Sequence, residues 1–318
     1  MKNKTRRQCW ILCGVMLVFC ALLCLLPNSY LNVTSAFPGA LVMVESADNS
    51  MLDAVGITYN GVQTSQVTVL ALALIGFGGV VGSGAMVSMA ASAVMIWKLL
   101  IPLLLRGISP IAAAFVTVVL LTVIIDLLVA GLTRRCAVAV LGALAGTLVT
   151  CSAAWQLTLT LKLDGGDLPY VVPLLAQSAM GVNTRELYIG MMFLANSGAL
   201  MDLSMDISAS MEEIRVHKPD VSRGALIRSG LSVGRSVLGT MTTTLMLAYS
   251  DNYLSVLMYF VGQGTPVTDI LKLKYVASQL LNTLVGSFGL VAAAPLTAVI
   301  ASALAGRAGN DAVSAAGK

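Results

Sequence analysis

The sequence has 318 residues, of which 57% are hydrophobic and 11% are charged, with a net charge of +4. A water-soluble domain is about 25% charged, so this composition excludes an ordinary soluble protein, whose surface needs more charges. The basic residues lie at the boundaries of apolar segments and form no basic, aromatic-rich face, which excludes nucleic acid as a partner. The composition therefore predicts that the lipid bilayer surrounds most of the chain.

The chain begins with a short basic lead and an apolar segment that ends at Pro27. A signal peptide begins in the same way, but this apolar run is long and no small-residue cleavage site follows it directly. We predict an uncleaved transmembrane anchor over residues 1–26, with the N-terminus inside. Residues 27–66 carry three acidic residues and no lysine or arginine. The positive-inside rule therefore makes them a short extracytoplasmic segment.

The apolar stretch over residues 67–107 is too long for one ordinary membrane span. It contains a cluster of glycines, namely Gly76, Gly78, Gly79, Gly82 and Gly84. We predict that this cluster separates two short helices joined by a tight turn near Gly82. One long kinked helix is the alternative, and it would change the side of the membrane on which every later segment ends.

Residues 108–131 and 136–161 form the next two predicted spans, and the arginines between them mark the cytoplasmic side. Residues 162–182 place glycines and prolines around a short apolar piece, so they form either a loop or a re-entrant segment. Asn183 has Glu186 three residues later, which is the spacing of a capping box. This spacing predicts that the sixth span begins there.

A dense charged cluster over residues 211–224 follows the sixth span, and its lysine and arginines place it inside. Residues 251–270 form an outer loop or half-helix before the last span. The chain is thus predicted to be all-α, a polytopic helical transmembrane bundle of about eight spans with both termini cytoplasmic. The bundle covers residues 67–305, and a cytoplasmic tail covers residues 306–318.

Two carboxylates stand in the otherwise apolar sixth span. Asp202 and Asp206 are four residues apart, so they share one face of a helix. In the next span Arg228 and Arg235 also share one stripe, and at about 1.5 Å per residue Arg235 lies at a depth similar to that of Asp202. Each charge at bilayer depth costs about 2.5–3.5 kcal/mol. Either ion pairs zip the two spans together, or the carboxylates line a cavity that binds a proton, a cation or a polar solute.

Further polar residues complete the set of candidates for ligand or ion binding. Asp126 has no basic residue within four positions on its helix, so it is either partnered from another helix or neutral. Asn196 is a candidate too, although in-span amides more often hold helices together than bind ligands. Glu213 continues the acidic stripe, and Thr242 continues the basic one.

Motifs for catalysis and for metal binding are missing from the sequence. There is one histidine, His217, and there is neither a P-loop nor a Cys-x-x-Cys pair. The six cysteines all fall inside apolar segments, where a small, weakly polar side chain packs well between helices. We therefore predict no enzyme activity, no metal and no cofactor.

Two stretches in the second half of the sequence resemble those of a known family of membrane proteins. Residues 197–249, which contain "MDLSMDISASMEEI" and "GRSVLGTMTTTLMLAY", and residues 284–302, "LVGSFGLVAAAPLTAVIAS", resemble the YibE/F family of bacterial multipass membrane proteins. The resemblance extends over roughly Val69 to Ala303. It implies a multipass protein of a bacterial inner (cytoplasmic) membrane. The family's recurring polar positions correspond to Asp202, Ser208, Ser210, Glu213, Arg235, Thr240 and Thr242.

Two functions fit these features. The first is a permease or exporter-like protein with a polar cavity between the sixth and seventh spans, acting on a small solute or ion. Because the sequence has no ATP-binding motif, such a transporter would be driven by an ion gradient or by a separate subunit. The alternative is a non-transporting scaffold or accessory subunit that binds a partner membrane protein.

Overall fold

The computed structural model describes residues 66–166, 168, 171 and 183–316. The predicted anchor over residues 1–26, the extracytoplasmic segment up to residue 65 and most of the loop or re-entrant segment lie outside the described residues. Within the described ranges all regular structure is helical and no strand occurs. This confirms the predicted all-α class.

The described residues form eight α-helices and one π-helical turn. Their bounds are α1, Gln66–Met95; a π-helical turn, Ile96–Leu100; α2, Ile101–Leu105; α3, Pro110–Ala130; α4, Arg134–Thr160; α5, Thr184–His217; α6, Arg223–Gly262; α7, Val267–Ile270; and α8, Lys274–Ala316. The described residues divide into two compact units. One contains α1, the π-helical turn and α2 together with Leu127–Gly131, and the other contains the rest of α3 together with α4 to α8.

The glycine cluster in the first unit interrupts α1. Gly79 leaves helical geometry, with φ 54° and ψ −123°, and a positive φ of this kind is tolerated by glycine because it lacks a Cβ. The break lies three residues before Gly82 and has a helical segment on each side. The interruption predicted near Gly82 is therefore present as a kink between two helical segments, and the second segment runs through a π-helical turn into α2.

Four of the described helical segments are long and apolar enough to cross a membrane. They are Gly82–Leu105, Pro110–Ala130, Arg134–Thr160 and Lys274–Leu304. A hydrocarbon core of about 30 Å needs about 20 apolar residues in a helix, and the shortest of these segments has 21. The protein is therefore a multipass membrane protein by length and composition, while eight spans and cytoplasmic termini stay predictions.

In the second unit α8 packs against α4, α5 and α6, and α5 also packs against α4 and α6. Small residues make these approaches close. A Cβ placed on Gly146 of α4 would lie 2.7 Å from the Cβ of Ala293, and one placed on Gly234 of α6 would lie 2.9 Å from the Cβ of Ala294. Helices that contact each other at glycine and alanine gain van der Waals packing, which drives association where both helices already lie in lipid.

Helix α3 joins this unit through α5. The rings of Phe115 on α3 and Phe193 on α5 meet edge to face, with centroids 6.5 Å apart. Gly190 of α5 lies where a Cβ would be 3.1 Å from the backbone oxygen of Pro110. Glycine therefore sets the distance between α3 and α5, and it holds the polar residues of these two helices at a fixed separation.

The caps of α5 and α6 agree with the predicted hairpin. The Asn183 side chain accepts a hydrogen bond from the Glu186 backbone N–H at 3.4 Å and donates one to the Glu186 carboxylate at 3.1 Å. At the other end α5 stops at His217, and Ser222 caps α6 by accepting from the Ala225 N–H at 3.3 Å. These contacts confirm the predicted helix start at Asn183.

Helix α6 is longer than the sequence indicated. Residues 251–262 were predicted to belong to an outer loop or half-helix, but they continue α6 without a break to Gly262. The reason is packing, because Tyr253 is buried in a cluster with Ile270 of α7 and Val276 of α8. Helix α8 likewise continues through residues that were predicted to form the tail, and it ends at Ala316.

Candidate functional site

The two carboxylates of α5 share one exposed face. Asp202 and Asp206 are both exposed, together with Gly198 and Ala195, which lie one and two turns before Asp202 on the same stripe. The carboxylates of Asp202 and Asp206 lie within electrostatic range of each other. The predicted acidic stripe is therefore present, and small side chains continue it.

Asp126 on α3 brings a third carboxylate to this place. Its side chain is buried, with 1% of its surface exposed, and it lies within electrostatic range of Asp202. Its Oδ2 atom has no hydrogen-bond partner in the part of the chain that the structure describes. More than nine in ten buried polar groups have such a partner, so this oxygen marks a place where a proton, an ion or a polar group is needed.

The two arginines of α6 do not pair with the carboxylates of α5. Arg228 and Arg235 are exposed, and among the described residues neither forms an ion pair with Asp202 or Asp206. The predicted zipper of ion pairs between the two spans is therefore wrong.

Helix geometry explains why these pairs do not form. The packing face of α6 is marked by Gly230 and Gly234, whose added Cβ atoms would meet residues of α5 and α8. A residue advances by about 100° around a helix, which turns Arg228 and Arg235 by about 100–160° away from that face. The arginines match the aspartates in depth but point in another direction.

A double-mutant cycle checks this geometry. Asp202→Asn and Arg235→Gln should change the free energy of unfolding additively, within about 0.5 kcal/mol, because the two side chains share no contact. The measurement is unfolding of the purified protein in mixed micelles, for both single variants and the double variant. A coupling energy above about 1 kcal/mol would show instead that Asp202 and Arg235 form an ion pair, since direct partners couple by about 0.5–3 kcal/mol.

Asn196 is buried at the centre of a hydrogen-bond network across three helices. Its Nδ2 donates to the Met192 backbone oxygen at 2.7 Å and to the Asn282 Oδ1 of α8 at 3.0 Å. Its Oδ1 accepts from the Tyr249 hydroxyl of α6 at 2.9 Å. Because both ends of the amide are used inside the bundle, the contacts favour its interpretation as a residue that holds helices together.

The remaining predicted residues contribute less to the carboxylate group. Glu213 is exposed, and its neighbour Glu212 is the residue that pairs with Arg215 at 3.7 Å. Thr242 is partly buried on α6. The flanking threonine hydroxyls, Thr240 and Thr243, donate to backbone oxygens of their own helix, which satisfies them without a ligand.

The prediction that catalytic motifs are missing overlooks one pattern, which occurs in the sequence but not in the structural setting that it requires. Residues 230–234 read Gly-Leu-Ser-Val-Gly, the spacing of a nucleophile elbow. An elbow needs a sharp turn from a strand to a helix, whereas these residues lie inside the continuous helix α6. The two glycines of the pattern serve helix packing instead.

The YibE/F-like protein family model matches residues 66–307. The chain belongs to this family. The matched region contains Asp126, Asp202 and Asp206, and therefore the whole carboxylate group of this YibE/F-like protein. No curated protein and no solved structure matches the chain.

Proposed function

We propose that this YibE/F-like protein is a permease or exporter-like membrane protein in which Asp126 and Asp202 form the ion-coupling group. The observation that carries the proposal is the buried Asp126 carboxylate, whose Oδ2 has no hydrogen-bond partner among the described residues. A buried, unpartnered carboxylate destabilises the bundle unless a proton or a cation neutralises it. A group that takes up and releases such an ion while the helices move would couple ion flow to transport.

The surroundings of the group support a path for an ion or a small solute. Asp202 and Asp206 lie on an exposed face of α5, so a species that approaches along that face meets these two carboxylates before the buried Asp126. Ala195 and Gly198 continue the face with small side chains, and small residues leave room for close approach. An anionic pathway of this kind favours cations or protons over anions.

Proteoliposome flux tests the proposal. The purified full chain, reconstituted into vesicles, should move at least one member of a panel of small polar solutes when a proton or sodium gradient is imposed. Vesicles without protein give the background, and vesicles with protein but without a gradient show whether movement depends on the ion. Flux at background for the whole panel under both gradients would contradict the proposal.

The proposal includes an arrangement in a bacterial inner membrane, with about eight spans and both termini cytoplasmic. It rests on the basic residues of the exposed α5–α6 loop, which the positive-inside rule places in the cytoplasm. In a variant without native cysteines, Lys218→Cys should resist a membrane-impermeant maleimide in intact cells and react after permeabilisation. Asp48→Cys should react in both. Ready labelling of residue 218 in intact cells would reverse the orientation.

A second function, that of a scaffold or accessory subunit, is favoured by the arginines of α6. Arg235 lies about 18 Å along α6 from its start at Arg223. It is exposed and forms no ion pair within the described residues. A carboxylate of a partner membrane protein would offset the cost of this charge at membrane depth. If this function is the correct one, Arg235→Gln should abolish co-purification of a partner, and the flux assay should stay at background.

A further inference from the structure

A cleft opens at the end of the helical bundle where α4 begins and α5 ends. It is a shallow, open cleft between four helices of the second unit. Its lining residues are Arg134, Arg135, Val138, Ser208, Met211, Glu212, Arg215, Leu226, Ala301 and Leu304. None of these residues belongs to the carboxylate group described above, so the cleft is a separate feature.

The polar side of the cleft is strongly basic. Three arginines, Arg134, Arg135 and Arg215, line the cleft, and the only acidic residue in its lining is Glu212. Arg134 and Arg135 stand in the first turn of α4, where the helix dipole adds positive potential. Both the arginine side chains and the backbone at the start of α4 therefore attract an anion to the cleft.

The one acidic residue engages its neighbour only loosely. Glu212 and Arg215 are 3.7 Å apart, and both are partly exposed, whereas charge-assisted hydrogen bonds are about 2.7–2.9 Å long. The Arg185–Asp164 pair in the same unit reaches 2.9 Å. Arg215 thus keeps donors that an incoming anion would use.

The rest of the lining is apolar. Val138, Met211 and Leu226 contribute to it, together with Ala301 and Leu304 of α8. A basic rim above an apolar wall complements a molecule with an anionic head and an apolar tail. Basic pockets between membrane helices on the cytoplasmic side are typical sites for lipid phosphates.

We propose that this cleft binds a phosphate-bearing anion through Arg134, Arg135 and Arg215. Guanidinium groups suit phosphate because each offers two parallel N–H donors in a fixed fork. The anion is either the head group of an anionic lipid or a soluble phosphate compound. This inference does not depend on the proposed transport function.

Equilibrium binding to the purified full chain in uncharged detergent tests the inference. The probes are a short-chain phosphatidylglycerol, a phosphatidylcholine of the same chain length and inorganic phosphate. Arg134→Gln with Arg135→Gln, and separately Arg215→Gln, should each weaken phosphatidylglycerol binding by about tenfold or more, since a hydrogen bond to a charged group contributes at least this factor. Glu212→Gln should tighten binding by about threefold, because it removes the competing carboxylate. A tighter variant cannot be explained by misfolding.

Arg223→Gln is the matched control. Arg223 is exposed and basic and stands in the first turn of α6, but it does not line the cleft, so its loss should change affinity by less than about twofold, as expected for a screened surface charge. Binding of phosphatidylglycerol without competition from inorganic phosphate would identify a lipid as the source. Full competition by inorganic phosphate would identify a soluble compound. Absence of binding by both anions, or equal weakening by Arg223→Gln and Arg215→Gln, would overturn the inference.

Discussion

Replacing Asp126 by asparagine should reduce gradient-driven flux to the level of empty vesicles and leave the bundle folded. Asparagine keeps the shape of the side chain and its hydrogen-bonding capacity, but it neither carries a charge nor takes up a proton. Because Asp126 is buried and its Oδ2 has no hydrogen-bond partner among the described residues, its replacement breaks no hydrogen bond at that atom. The measurement is flux in proteoliposomes beside thermal unfolding of the same preparation.

Asp126→Leu tests the same prediction more strictly, because it should increase stability while it abolishes flux. Removing an unsatisfied buried polar group should stabilise the bundle by about 1–3 kcal/mol, while flux again falls to background. Thr122→Val is the matched control, since Thr122 is buried one turn earlier on α3 and its hydroxyl bonds only to the Val118 backbone oxygen of the same helix. It should leave flux within about twofold, as expected for a residue with a local role.

Two outcomes would contradict an ion-coupling role for Asp126. Full flux in Asp126→Asn would show that its charge is not needed. Parallel loss of flux and of folding in Asp126→Asn would show that the carboxylate holds the helices together. In either case the ion-coupling group would have to be sought at Asp202 and Asp206, which share an exposed face.

Local signals in the sequence predicted local structure correctly. Apolar runs of about 20 residues predicted long helices, and four of the described segments are long and apolar enough to cross a membrane. The Asn183–Glu186 spacing predicted the start of α5 with the hydrogen bonds that the structure contains. The four-residue spacing of Asp202 and Asp206 predicted their common face. Each of these features depends on residues within one helical turn of each other, or on the composition of one helix.

Features that depend on how helices rotate against one another were not predictable. The depth of Arg235 follows from counting residues, but its direction follows from Gly230 and Gly234, which turn α6 toward α5 and α8. A single sequence does not state which of several glycines makes the contact. The pairing of Asp202 with Arg235 failed for this reason.

The basic cleft and the interruption of α1 show the same limit. Arg134 and Arg215 are far apart in the sequence, and only the packing of α4 against α5 brings them to one cleft. In the glycine cluster each glycine tolerates positive φ equally well, so the composition indicated a break without locating it at Gly79. In α6 the polar residues after Ser250 suggested a loop, but burial of Tyr253 against α7 and α8 keeps the helix intact.

Gly286→Ala should produce the largest loss of stability among the single changes considered for this bundle. A Cβ at position 286 of α8 would overlap the amide of Asn196, with 2.6 Å to its Cγ. Asn196 has no free space to move into, because it is 1% exposed and bonded to Met192, Asn282 and Tyr249. Overpacking costs about 1–3 kcal/mol, and a displaced buried hydrogen bond costs about 1–3 kcal/mol more.

The expected sum, roughly 2–6 kcal/mol, is measured as the loss in the free energy of unfolding in mixed micelles. Gly239→Ala on α6 is the control, since an added Cβ there meets nothing within 4 Å and should stabilise the helix by about 0.5–1 kcal/mol. Adding Asn196→Ala to Gly286→Ala should restore space and make the double variant less destabilised than the sum of its parts. Additive losses, or a change at Gly286 no larger than at Gly239, would mean that Asn196 does not hold α8 at this distance from α5. The decisive result is that the two free-energy changes do not add, because the effects of distant, independent substitutions add and those of residues in contact do not.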